Sequence, residues 1–336
     1  MSGTPSHVQI FSTCPQWTGG DRRAHVAHVA DVARWSEAAG CDGILIYTDN
    51  SQPDPWVIAQ IVASSTERLS PLVAVQPIYM HPYSVAKLVA TFGHLFGRRM
   101  HLNMVAGGFT NDLKAMGDRT EHDRRYARLV EYGQIISRLL ASSSPITFTG
   151  EFYQTAQLRL DPPLPPDLQP VFFMSGSSEA GLAAARALDA RAIKYPKPAR
   201  DERNVTDQDG VGCGIRVGIV ARETDAAAWA AAHARFPDDR KGQLLHGLAM
   251  KTSDSQWHAQ LSTLAEDDTS VYWLGPFERY QTMCPYLVGS YARVADELSR
   301  YLERGYATFI LDIPPEPDEL EHINRAFALA RARVAA

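Results

Sequence analysis

Residues 73–108 read VAVQPIYMHPYSVAKLVATFGHLFGRRMHLNMVAGG. VAVQP is a short apolar run closed by a proline. SVAKLVATFGHLFG follows with apolar residues at helical spacing, and MHLNMVAG is a second apolar run. A helix between two strands carries the chain back to the edge it left, so the two strands run parallel. Apolar strands of this length, covered by helices, predict a parallel sheet buried on both faces.

The same unit recurs on either side. HVQIFST precedes AHVAHVADVARWSEAAG, whose Val26, Val29, Val32 and Ala33 share a face and whose helix stops at Gly40. GILIYT precedes PWVIAQIVASST, and MHLNMVAG is followed, after an irregular stretch, by DRRYARLVEYGQIISRLL. Downstream come VFFM with an alanine-rich helix, RAIKYPK, GIRVGIVAR with DAAAWAAAHAR, and TFILDIP with ELEHINRAFALARARV. Eight strands without a break in composition predict an α/β fold, a single (β/α)8 barrel spanning residues 1–336, in preference to an open doubly wound sheet. Three stretches depart from the repeat. SPITFTGEFYQT, residues 144–155, predicts a small hairpin. PARDERNVTDQDGVG, where the helix between the sixth and seventh strands belongs, is polar and punctuated by Asp-Gly, so that helix is expected to be lost. Residues 237–290 read as a long insertion, either a lid or an interface.

Composition limits the partners. With 45% hydrophobic and 21% charged residues the chain reads as globular, and a net charge of −5 offers no basic footprint for nucleic acid or an anionic membrane. Cys14, Cys41, Cys213 and Cys284 form no C-x-x-C pair, which suits a reducing compartment. No apolar run reaches membrane-spanning length and the first residues lack a signal peptide's pattern, so a cytoplasmic location is expected.

In a (β/α)8 barrel, chemistry sits at the C-terminal strand ends. The positions to inspect are therefore Cys14, Trp17, Tyr47 to Gln52, Gln76 to His81, Asn103 to Gly108, Ser175 to Ser178, Tyr195 and Arg216 to Gly218. In VFFMSGSSEAGLAAARAL, backbone N–H groups at a helix start stand beside Ser177 and Ser178, an anion cradle. A plain capped turn with either serine as N-cap accounts for the same residues. His25 and His28 lack a third ligand, so no metal is expected. SGSSE is not a nucleophile elbow, and Glu37, Asp42 and Asp54 form no acid–base pair. An anion cradle with few ionisable groups at the mouth suggests that a cofactor supplies the chemistry.

The 73–108 unit, HDRRYARLVEYG and QPVFFMSGSSEAG, in that order, resemble the luciferase-like flavin-dependent monooxygenase family, and within it the alkanesulfonate monooxygenase-type branch. The resemblance covers Val8 to about Arg235 and resumes near Leu287. It implies FMN as cofactor, with its phosphate on Gly176, Ser177 and Ser178, joined by Arg125 and Tyr126. It places Asn103 at the isoalloxazine edge and lets the ring lie close to backbone at Ala106 and Gly107. Arg216 matches the family's active-site arginine, and Gln52 and Tyr195 fall at catalytic positions. Gly218 stands where the sulfonate branch has histidine, Gln52 where it has cysteine, Tyr195 where it has tryptophan, and DIPP lacks its tyrosine. Cys14 also sits where a histidine is common. These departures leave Arg216 as the main anion anchor and predict a larger, less charged substrate than an alkanesulfonate.

The resemblance thus implies a two-component monooxygenase. Reduced FMN comes from a separate flavin reductase, dioxygen and a small organic substrate meet in the mouth, and the enzyme is a homodimer or homotetramer. The competing readings are a deazaflavin-dependent hydride-transfer enzyme, a non-catalytic flavin-binding relative, and a cofactor-free lyase acting on a phosphorylated substrate.

Overall fold

The computed structural model describes residues 7–107, 110–175, 178–205, 212–244, 246 and 270–335. Eight parallel strands close into a barrel: β1 (Gln9–Thr13), β2 (Gly43–Ile46), β3 (Ser70–Val75), β4 (His101–Met104), β7 (Phe172–Ser175), β8 (Arg191–Lys194), β9 (Cys213–Arg222) and β12 (Thr308–Leu311). Closure runs through Ala192 opposite Cys213, Gly214 opposite Thr308, and Thr308 opposite Gln9. The hairpin predicted at 144–155 is β5 (Ile146–Thr149) with β6 (Gln154–Leu158), and it stays outside the barrel.

Helices cover the outside, and their starts follow the sequence. α1 (Arg22–Ala38), α2 (Pro55–Ser65) and α3 (Pro82–Phe96) are capped by the side chains of Asp21, Asp54 and His81, with proline in the first turn of α2 and α3. α3 ends at Gly97, whose φ of +61° suits a residue without a Cβ. α4 (Thr110–Ala115) and α5 (His122–Ala141) lie between β4 and the hairpin, and α6 (Glu179–Ala187) follows β7. Glu37, which joins no acid–base pair, accepts the backbone N–H groups of Glu67, Arg68 and Leu69 and fixes the turn into β3.

Strand alternation sorts side chains into two sets. Ile10, Ile44, Leu102, Phe172, Ile215 and Phe309 pack outward in the cluster shared with the helices. Phe11, Leu45, Leu72, Phe173, Ile193 and Ile310 fill the lumen, one from each of six strands. One step of two residues further along each strand, the inward positions are Thr13, Tyr47, Ala74, Asn103, Ser175, Tyr195, Arg216 and Asp312. An apolar plug thus lies beneath a mostly polar layer at the C-terminal end.

Two features of the second half bear on that layer. Between β8 and β9 the described residues hold only a 3-10 turn, Ala199–Asp201, where the barrel repeat has a helix. Three of its described groups are held by α9 (Tyr291–Glu303), which follows α7 (Asp225–Arg235) and α8 (Gly275–Glu278) in the chain, and by Arg304 just after it. Ala199 N–H donates to the Glu297 carboxylate, the Tyr301 hydroxyl donates to the Lys197 carbonyl, and Arg304 donates to the Glu202 carbonyl. The end of the 237–290 stretch, by contrast, belongs to the sheet. β11 (Tyr286–Ser290) runs parallel to Gly218–Arg222 of β9, and β10 (Tyr272–Trp273) pairs antiparallel with it. YLVGS escaped the repeat count because it is an extra strand at the end of the stretch read as an insertion. α10 (Pro317–Ala335) closes the fold, held to β9 by the paired contacts of Arg222 with Glu319. Of the segment read as a lid, 245 and 247–269 lie outside the described residues.

Candidate active site

The polar layer has two corners. The first forms where β4 and β7 meet the start of α6. Asn103 is buried and its Oδ1 accepts the Ser175 hydroxyl at 2.9 Å, which leaves the amide NH2 as the end that faces no described acceptor. Ser178 is the N-cap of α6, its Oγ accepting from Gly181 N–H at 3.1 Å. Tyr126 of α5 lies against this cap: a Cβ on Gly181 would stand 3.3 Å from its ring and 3.2 Å from the Ser178 hydroxyl. Burial raises the Tyr126 phenol, a shift partly offset by its hydrogen bond with Ser178. Arg125, next along α5, is buried and donates to the Thr120 carbonyl. Ala106 is buried, and Gly107 has a φ of +117°, a left-handed conformation open to glycine. Ser178 therefore satisfies the capped-turn reading while sitting beside Tyr126, whose helical neighbour Arg125 reaches the Thr120 carbonyl. Gly176 and Ser177 lie outside the described residues.

The second corner forms where β9 meets β12 and β11. Arg216 is 6% exposed, its guanidinium 4.8 Å from the Tyr47 ring centre and 5.9 Å from that of Tyr195. Nη1 donates to the Tyr195 hydroxyl at 3.3 Å, whereas Nε and Nη2 have no hydrogen-bond partner among the described residues. Asp312 follows β12, with Oδ1 3.9 Å from Nη2 of Arg216, beyond hydrogen-bond distance. Its Oδ2 accepts the hydroxyls of Thr282 at 2.5 Å and Tyr286 at 2.7 Å. Burial pushes the Asp312 carboxyl up, but the Arg216 charge and the two hydroxyl donors outweigh it and hold the group below its ordinary value. Cys284, buried nearby, is pushed up to about 12 by desolvation and remains a thiol.

Gly218 explains one departure from the sulfonate branch. A Cβ there would fall 2.2 to 2.4 Å from ring carbons of Tyr286, so no larger side chain fits while that ring is in place. Tyr286 is fully buried against Phe236 and its hydroxyl reaches Asp312, which puts a tyrosine beside DIPP from β11.

Gln52 stands apart from both corners. Its Oε1 accepts Trp17 N–H at 2.8 Å and its Nε2 approaches the Trp17 carbonyl at 3.4 Å, a clamp on the loop after β1. It also lines a cleft of about 280 Å³ with Asp49, Gln76 and Tyr79 at the ends of β2 and β3. The structure thus brings Asn103, Arg125, Tyr126 and Ser178 to one side and Arg216 with Tyr195 to the other. Sequence reasoning did not reach Asp312 or Tyr286, and it singled out Ser175 without pairing it with Asn103. Alternation from Ile310 in TFILDIP places Asp312 inward.

Among the described residues no group of three or more His, Cys, Asp or Glu is placed to hold a metal, and no helix is long and apolar enough to cross a membrane. Residues 6–308 match the family described as luciferase-like monooxygenase. The chain is 35% identical over 313 residues, 90% of its length and 91% of the relative's, to the 4-(gamma-L-glutamylamino)butanoyl-[BtrI acyl-carrier protein] monooxygenase BtrO of Niallia circulans. Among solved structures it superposes on the EDTA monooxygenase EmoA of Chelativorans sp. BNC1 with a TM-score of 0.76, at 16% identity, covering 97% of this chain and 94% of that one. An F420-dependent secondary alcohol dehydrogenase shares the fold with a TM-score of 0.68, at 16% identity, covering 97% of this chain and 99% of that one.

Proposed function

Since the chain belongs to the luciferase-like monooxygenase family, we propose that it is a two-component enzyme that uses reduced FMN and dioxygen to place one oxygen atom on an acyl group presented by a carrier protein. The observation that carries this reading is Arg216. It is a buried guanidinium with an open edge, at the same barrel end as the Ser178 corner, in a chain related to BtrO across 90% of its length.

The donor set of the first corner fits a flavin mononucleotide. Arg125 supplies a guanidinium, Tyr126 a phenol and Ser178 a helix N-terminus, which together suit a phosphate dianion. Asn103 offers its amide NH2 to the polar edge of the ring, and the small residues Ala106 and Gly107 allow a flat group to lie against backbone. FMN, reduced by a separate flavin reductase, would supply the electrons that activate dioxygen. The protein's part is positioning and dehydration. Tyr47 and Tyr195 wall the mouth, and Arg216 anchors the far end of the acyl group so that its reacting carbon is held in place. Simple alkanesulfonates fit poorly, because the space next to Gly218 belongs to Tyr286.

The test is turnover of a gamma-glutamylaminobutanoyl thioester on an acyl-carrier protein, with FMN reduced by any reductase and isotopically labelled dioxygen. Incorporation of one labelled atom into the acyl group, absent without dioxygen, is expected. Turnover only with reduced deazaflavin and no dioxygen would establish the hydride-transfer reading instead. Sulfite release from alkanesulfonates at a comparable rate would return the chain to the sulfonate branch.

A further inference from the structure

Building on that reading, we propose that Arg216 and Asp312 form a recognition site for an α-amino-acid headgroup, the carboxylate on the guanidinium and the ammonium on Asp312. Arg216 gives Nη1 to Tyr195, and ring faces of Tyr47 and Tyr195 lie 4.8 and 5.9 Å from it. What remains is the Nε and Nη2 edge, two parallel N–H donors in one plane, the geometry that a carboxylate accepts with both oxygens. The residue is 6% exposed, so these donors face a ligand or stay unsatisfied, and the latter is costly for a charged group.

An anion alone is a poor partner here. Bound at Nη2, it would sit beside Asp312, whose Oδ1 is 3.9 Å from that nitrogen. Two negative groups sharing one partly buried guanidinium repel each other. An ammonium next to the carboxylate removes the repulsion and takes up Oδ1, which has no donor among the described residues. Oδ2 is not available, because Thr282 and Tyr286 hold it. The same two hydroxyls fix the carboxylate's rotation, so Oδ1 is kept on the Arg216 side. A group carrying both charges on one carbon meets each requirement, and the gamma-glutamyl end of the substrate named for BtrO is such a group.

The test uses binding alone, with neither flavin nor dioxygen nor carrier protein, so its failure is separable from failure of the oxygenase reading. Three probes are titrated by calorimetry against the full chain: gamma-L-glutamyl-butylamide, its analogue lacking the amino group, and its analogue lacking the carboxylate. The zwitterion is expected to bind at least tenfold tighter than either analogue. In Asp312→Asn its advantage over the analogue lacking the amino group should fall below about threefold, and in Arg216→Lys its advantage over the analogue lacking the carboxylate should shrink likewise. Equal binding of the zwitterion and the analogue lacking the amino group, binding of no probe, or an unchanged preference in both variants would each overturn the proposal. Should a variant fail to fold, the three probes on the unaltered chain and the other variant still decide.

Discussion

The two corners of the barrel mouth are built in opposite ways. At the Ser178 corner the hydroxyls are already paired: Ser175 with Asn103, Ser178 with Gly181 and Tyr126. At the Arg216 corner a buried cation and a buried anion stop at 3.9 Å, each with unused capacity. The first resembles a prepared seat for one invariant ligand, where paired groups cost nothing to hold in place. The second keeps its strongest interactions in reserve, and buried groups left unpaired reject any ligand that cannot pair them. On the proposed function, cofactor binding and substrate choice fall to two different strand pairs.

The sharpest way to break the contrast is to remove what supports the open corner. Tyr286 is fully buried, packs on Phe236 and Gly218, and donates to Asp312. Tyr286→Ala should lower stability by about 3 to 5 kcal/mol, read from the urea midpoint at constant slope. A loss below about 1 kcal/mol would mean that β11 is peripheral to the corner. Gly218→Ala approaches the same contact from the other side. Its Cβ would enter the Tyr286 ring, and a loss of about 3 kcal/mol is expected, at the upper end for overpacking. Combined with Tyr286→Ala, most of that cost should vanish, since the obstructing ring is gone. Additive losses would show that the two residues do not meet.

The prepared corner responds differently to substitution. Ser178→Ala removes a cap worth about 1 kcal/mol of stability. It should also weaken FMN by about 1.5 to 3 kcal/mol, the range for one hydrogen bond to a charged group. Anaerobic titration with reduced FMN beside a thermal melt separates the two effects. Wild-type affinity in a folded variant would move the phosphate away from α6.

The same contrast governs what the sequence made legible. The Ser178 corner lies on a strand–turn–helix, and its partner Tyr126 stands on the helix of the preceding unit, so local pattern and family resemblance reached it. The eight-strand count, and the lack of a helix among the described residues between β8 and β9, were legible because both follow from period and punctuation. The Arg216 corner draws on residues distant along the chain. Asp312 is 96 positions from Arg216, since 312 − 216 = 96, and Tyr286 arrives on an extra strand inside a stretch read as insertion. Pairing at that range depends on how β11 and β12 lie along β9, which no local window contains.

The smallest expected effect tests whether the open corner is charged at all. Arg216, Arg235, Thr282, Tyr286 and Cys284 are the groups acting on Asp312. Burial acts to raise its pKa, yet the net shift is downward from 3.8. A carboxylate with a depressed folded pKa contributes stability that is present above the unfolded value and is lost as pH falls through the folded one. Wild type minus Asp312→Asn should therefore be constant from about pH 7 to about pH 5 and shrink below about pH 4, by at most about 1.36 kcal/mol per pH unit. Thermal melts of both proteins across that range read the difference directly. A gap that widened on acidification would mean that burial wins and Asp312 is protonated. The corner would then hold Arg216 as a lone cation, and a plain anion would bind there as well as a zwitterion.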